Sequence, residues 1–157
     1  MDKLEYIPGD LVMTNGVPLC TAKDVVYRVT SSDPSKTLEL DDGTVLKGVV
    51  CLENIEGAEF GEKGFLFGDC CAWVKDIVPI PIIPEILEKN GWKKEMYHDW
   101  YYLPLERTLL YIIEGIGIDD AWSVEVGLNM SYIANISFVH QLQHLLFGLG
   151  INHEMEV

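Results

Sequence analysis

The rhythm of hydrophobic and polar positions changes twice along the chain. From Gly9 to Val78 the apolar residues come in short runs broken by turn residues, the pattern of brief strands. Leu11–Thr14 is the first, and Asn15-Gly16 is a hairpin signal leading into Val17–Thr21. Val25–Thr30 has the strongest strand composition, and Ser31–Lys36, with Pro34, reads as a loop. Leu38–Leu40 and Val45–Lys47 flank the turn Asp41-Asp42-Gly43-Thr44; Val49–Leu52, Phe65–Phe67 and Cys70–Val74 follow. So many short strands in about 70 residues predict a small SH3-like barrel, because closure removes exposed edges.

At Ile77-Val78-Pro79-Ile80-Pro81-Ile82-Ile83-Pro84 the pattern breaks. Alternating prolines impose an extended segment, and the isoleucines between them seek burial. The segment predicts a strap lying on protein, with Ile80, Ile82 and Ile86 buried. Pro84 suits the first position of a short helix, Glu85–Lys89, which Asn90-Gly91 ends. Strands return at Trp92–Glu95, Trp100–Leu103, Thr108–Ile113, Trp122–Val126 and Tyr132–Ile136, joined by brief links that favour an antiparallel meander. The division expected is 1–78, a strand-rich barrel, and 79–157, the strap, short helix, sheet and a final helix. The fold class is mainly β (α+β).

That final helix, 138–149, has a 3.6-residue period. Phe138, Val139, Leu142, Leu145, Leu146 and Leu149 share one face, which is expected to cover the sheet. The opposite face holds His140, Gln141, Gln143 and His144 around Phe147, with Ser137 as N-cap and Gly150 as the stop. An apolar anchor with a polar rim is the pattern of a contact surface. The aromatic-rich sector Trp92, Tyr97, Trp100, Tyr101, Tyr102, Tyr111 and Trp122 supplies a second candidate. Strand alternation turns either Trp100 and Tyr102 or Tyr101 toward the less buried side. The expected interaction surface is therefore Phe147, His140, His144, Gln143, Trp100 and Tyr101, with Phe147 covered by a partner subunit or by the segment after Gly150.

The chain has 157 residues and a formal net charge of −14. Residues 1–80 carry 14 acids against 7 bases and residues 81–157 carry 11 against 4, so each part nets −7. Such a surface repels phosphate backbones, which argues against nucleic acid as a partner. The start of the chain lacks the basic and apolar regions of a secretion signal, and no run reaches the ~20 apolar residues of a membrane span. A cytoplasmic protein without membrane contact is expected. Cys20, Cys51, Cys70 and Cys71 show no CxxC spacing, so reduced, packed thiols are expected and no disulfide.

Catalytic chemistry finds little footing. His140 and His144 share a helical face as zinc ligands sometimes do, but Gln141 stands where a metalloprotease helix needs Glu. His98-Asp99, in a strand-like run, point to opposite faces, and Asp119-Asp120 read as turn residues. No metal, no cofactor and no catalytic residue is assigned.

Two pieces occur together: Pro79-Ile80-Pro81-Ile82-Ile83-Pro84-Glu85-Ile86-Leu87-Glu88-Lys89-Asn90-Gly91-Trp92, and Phe138-Val139-His140-Gln141-Leu142-Gln143-His144-Leu145-Leu146-Phe147. The pair resembles a group of small uncharacterised proteins encoded in phages, prophages and mobile elements of gut Bacteroidetes. The resemblance covers residues 77–157 and implies a genomic setting without an activity. Ile83 stands where the group has a hydroxyl residue, and residues 56–73 read as an insertion. The function expected is that of a non-catalytic protein-interaction protein of a phage or mobile element, binding a protein partner or itself. Its rivals are an acidic inhibitor that mimics DNA toward a host nucleic-acid-binding protein, and a metal- or ligand-dependent enzyme.

Overall fold

The computed structural model describes residues 5–16, 25–55, 70–115 and 121–157. The chain divides into two compact units, 1–80 and 81–157; the proline pattern had placed the boundary after residue 78. The segments Val17–Thr21 and Phe65–Phe67, Cys20 and Asp119-Asp120 lie outside the described residues.

The first unit is one antiparallel sheet built from β1 (Leu11–Thr14), β2 (Tyr27–Glu39), β3 (Val45–Asn54), β4 (Cys70–Trp73) and β5 (Ile77–Pro79). Its strand order is β4-β3-β2-β1-β5. The strands alternate as a half-buried sheet should: Val12, Tyr27, Val29, Val50, Leu52, Ala72 and Ile77 meet in a core with Tyr6 and Val25. The expected barrel is not closed, because β4 and β5 remain edges with no ladder between them. A single 3-10 turn, Val74–Asp76, separates these two edge strands in the chain. The side chain of Asn15, just after β1, donates to the buried Asp76 Oδ1 at 2.8 Å and its backbone N–H donates to the Asp76 carbonyl at 3.0 Å.

Two sequence expectations are corrected here. Ser31–Lys36 is no loop but part of β2, which has three residues between Asp33 and Thr37 against the single Gly48 between Val49 and Lys47. The surplus forms a bulge in which Asp33 Oδ1 accepts from the Ser35 N–H (3.1 Å) and hydroxyl (2.6 Å); a bulge is where Pro34, lacking an N–H, does no harm to a ladder. Gly48 faces this bend with φ of 81°, and a Cβ there would lie 2.8 Å from Val74 Cγ2. Beyond it the β2–β3 pair runs on as a two-stranded arm tipped by the predicted turn at 41–44, with Leu38, Leu40 and Val45 exposed. The second correction concerns cysteine. Cys51 and Cys71 stand directly opposite each other on β3 and β4, 4.1 Å apart at Cα, and form a disulfide. Strand register made this pair; spacing along the chain carries no trace of it.

The second unit opens with α1 (Pro84–Lys89), followed by β6 (Lys93–Lys94), β7 (Trp100–Pro104), β8 (Leu109–Ile113), β9 (Trp122–Val126), β10 (Ser131–Ile136) and α2 (Val139–Gly148). Its sheet is the predicted meander, in the order β10-β9-β8-β7-β6. Leu110, Ile112 and Val124 are fully buried on one side of this sheet, and Val139, Leu142 and Leu146 form the buried stripe of α2. Pro84 opens α1 as expected. Both helices stop in the same way. Gly91 (φ 85°) and Gly150 (φ 72°) follow them, and the N–H groups of Trp92 and Ile151 reach back to the carbonyls of Leu87 and Leu146, at 3.0 and 2.9 Å. At the start of α2 the cap position is Phe138, not Ser137. Gln141 Oε1 accepts from the N–H groups of Ser137 (2.8 Å) and Phe138 (3.2 Å), so the side chain of the third helical residue does the capping.

Ile80, Ile82 and Ile86 are buried, whereas Ile83 is exposed. Residues 77–79 are strand β5 rather than an unpaired strap, and Ile82 donates to the Ser137 carbonyl at 3.0 Å beside a Pro81–Phe138 bridge. Among the described residues no helix is long and apolar enough to cross a membrane.

Candidate functional site

A groove of about 520 Å³ opens at the end of the second sheet where β6 turns into β7. Residues 95–99 (Glu95-Met96-Tyr97-His98-Asp99) make the turn. Glu95 donates its N–H to the Trp100 carbonyl at 2.9 Å, and its Oε2 accepts from the Tyr97 N–H at 2.7 Å. The carboxylate of Glu95 thus holds the bend in place of backbone partners, and the side chains between project outward. Met96 and Tyr97 are 83% and 82% exposed, an unusual degree for two adjacent large apolar residues. His98 stacks on Trp100 with ring centroids 4.4 Å apart and planes 19° from parallel. The Tyr111 ring stands nearly perpendicular to that of Trp100, with centroids 6.4 Å apart. Lys94, Asp99, Ile113 and Glu114 complete the lining.

His98 and Asp99 were expected to point to opposite faces of a strand. The chain instead bends here, and both line the groove. Alternation on β7 is resolved as well. Trp100 and Tyr102 are half-buried, while Tyr101 faces inward, edge-on to Trp122 at 6.2 Å. Burial pushes the Tyr101 phenol above its ordinary pKa, and the negative charges of Glu88, Glu114, Glu85 and Asp99 push it further in that direction. Carboxylates from α1, the bend and the end of β8 therefore all act on this part of the unit.

The candidate face of α2 comes apart. Phe147 is exposed, at 60%, but His140 and Gln143 are buried and cannot frame it. His140 lies between the Phe138 ring, stacked at 6.0 Å, and the His144 ring, edge-on at 5.6 Å. The physical cause is the segment after Gly150, which returns across the polar side of the helix. Gln143 Nε2 donates to the His153 carbonyl at 3.2 Å, the His153 ring meets Phe147 edge-on at 5.0 Å, and Met155 is buried. Asn90 clamps the end of this segment. Its Nδ2 donates to the carbonyls of Glu156 and Ile86, both at 2.7 Å, and its Oδ1 accepts from the Glu156 N–H at 2.8 Å. One side-chain amide pairs with a backbone as a neighbouring strand would, and Lys89 Nζ adds a bond to the Val157 carbonyl at 3.2 Å.

Of the six residues expected at a contact surface, Tyr101, His140 and Gln143 are thus interior. His144 is partly covered, and Phe147 and Trp100 lie at separate places, Trp100 alone in the groove. Sequence reasoning missed Met96 and Glu114, and it named Tyr97 in the aromatic sector and Asp99 beside His98 without placing either at the contact surface. The available signal was a pair of large apolar side chains between charged ones, outside any strand period. Among the described residues no three His, Cys, Asp or Glu side chains gather as ligands for a metal ion. No protein-family model, no curated protein and no solved structure matches the chain.

Proposed function

We propose that this chain is a non-catalytic protein-interaction protein and that the β6–β7 groove is its contact site. The observation that carries the reading is the His98–Trp100 stack flanked by the almost fully exposed Met96 and Tyr97. An ordered aromatic platform beside adaptable apolar side chains is what hot spots are made of, and leaving them in water forgoes about 1.5–3 kcal/mol of burial for each large side chain. A genomic home in a phage or mobile element is the setting that the resemblance of residues 77–157 implies. The first unit is read as an SH3-like barrel. Its support is that the two edge strands of the sheet, β4 and β5, are joined by one 3-10 turn, which a flat sheet does not permit.

The test is site-specific photo-crosslinking in the native cell from a benzoylphenylalanine at position 97. The control position is Leu128, equally exposed at 89% in the β9–β10 turn. A discrete protein adduct, a second copy included, is expected from position 97 and lost in Met96→Ser. Equal adducts from both positions, or none, would overturn the assignment of the groove.

A further inference from the structure

We infer that the groove receives an arginine side chain presented by a basic peptide segment of the partner. The inference rests on reading the groove as a contact site and gives that site a chemistry. Three observations lead to it. Asp99 and Glu114 are exposed carboxylates that both line the groove, one in the bend before β7 and one just past the end of β8, against one lysine, Lys94. The same two carboxylates also act on the phenol of the neighbouring Tyr101, whose raised pKa they help to set after burial and Glu88. The same groove is lined by ring surfaces, those of Tyr97 and of the His98–Trp100 stack.

A guanidinium satisfies all three at once. It is planar and weakly hydrated, so it stacks on an aromatic face, and its fork of N–H donors reaches a carboxylate while stacked. An ammonium is held more tightly by water and has no plane to stack. A carboxylate or phosphate ligand would meet Asp99 and Glu114 with like charge. The volume, about 520 Å³, admits the side chain with a stretch of the backbone that carries it. The net charge of −14 favours the approach of a basic segment, while the groove decides where it settles.

The probe is the peptide acetyl-Gly-Arg-Gly-Arg-Gly-amide, titrated into the full chain and followed by backbone amide and Trp indole NMR shifts. Its comparison is the same peptide with citrulline for arginine, which keeps the shape and loses the charge. Saturating shifts confined to residues 94–100 and 113–114 are expected, with the citrulline peptide roughly tenfold weaker. Asp99→Asn with Glu114→Gln should weaken the arginine peptide roughly tenfold as well. Asp41→Asn with Asp42→Asn, the same change of charge in the β2–β3 turn, should leave binding within about twofold, because it lowers the net charge equally without altering the groove lining. All four positions are exposed, so folding is not at stake.

Equal weakening by both pairs would mean diffuse attraction to an acidic protein and would overturn the inference. So would equal binding of the citrulline peptide, or shifts scattered over the surface. A position-97 cross-link that persists in Asp99→Asn/Glu114→Gln would overturn the arginine assignment and leave the interaction reading standing. Loss of both the cross-link and the titration removes both.

Discussion

In the first sheet β5, the last strand in the chain, lies beside β1, the first, whereas in the second every strand pairs with its neighbour in sequence. Both sheets have five strands and only antiparallel pairs, so the difference is one of wiring. A meander closes each contact across a short link. The first sheet must bring Val12 to Pro79 before its last ladder exists, which costs loop-closure entropy. The first unit is tied by the Asn15–Asp76 bond and by the Cys51–Cys71 bridge between neighbouring strands β3 and β4. The second unit uses side-chain amides instead, Gln141 at the start of α2 and Asn90, which reaches from the end of α1 to Glu156.

The contrast can be broken from either side. Ile82→Asp should have the largest effect, about 3 kcal/mol, because it puts an unpaired carboxylate where an apolar side chain is buried. Chemical denaturation followed by amide exchange should show the loss in residues 81–157 first. Cys51→Ser with Cys71→Ser should cost about 2–3 kcal/mol in the first unit by freeing a loop spanning 20 residues in the unfolded chain, with the second unit unmoved. An equal loss in both units would contradict the division of labour drawn above.

Alkali should act on both units at once. Burial raises the phenols of Tyr6 and Tyr101 above the ordinary value of 10.0. In the unfolded chain they ionise near that value while the folded protein holds the proton. Stability is therefore complete below pH 10 and falls as pH rises toward the folded-state values. Thermal melts between pH 9 and 11.5 should show a falling Tm, with a shallower fall in Tyr101→Phe. Asn90→Ala should cost about 1 kcal/mol, the net worth of hydrogen bonds at a partly exposed site. Amide exchange at Glu156 should speed up well before that of α1. Phe147→Ala should be smallest, within about 0.5 kcal/mol, since the ring is largely in water and loses little beyond its edge contact with His153.

What the chain reveals on inspection follows the same division. Leu11–Thr14 and Trp122–Val126 are strands over the residues that their composition marks, and Gly91 and Gly150 stop helices as their lack of a Cβ allows. These are local matters, decided within a few residues. A cover for the Phe147 side of α2, by a partner or by the segment after Gly150, is expected from the exposed ring, but periodicity does not say which residues that segment reaches. Gln143 looks like a solvent residue until the His153 carbonyl accepts its amide, while Phe147 gains only an edge contact and stays exposed. Asn90 reads as a helix stop, and its second role depends on Glu156, 66 positions away. The groove was half legible. Trp100 was visible as an aromatic on an alternating strand, but the bend that sets His98 on its face depends on Glu95 folding back to the Tyr97 amide.

The β2–β3 arm behaves as a cantilever. Its root is gripped on both flanks, by β1 at Tyr27 and Arg28 and by β4 from Val49 to Leu52, while the span from Thr37 to Lys47 rests on its own two strands. A lone pair of strands is marginal in water, so stiffness should fall from root to tip. The joint is the bulge at Asp33–Thr37, where Gly48 gives the opposite strand its turn of backbone. Load applied at Asp41 and Asp42 is therefore delivered to Pro34 and Val74, the residues that meet Gly48, rather than spread along the ladder. Any object that touches the tip pulls on the corner of the first unit where the Gly48 backbone lies against Val74.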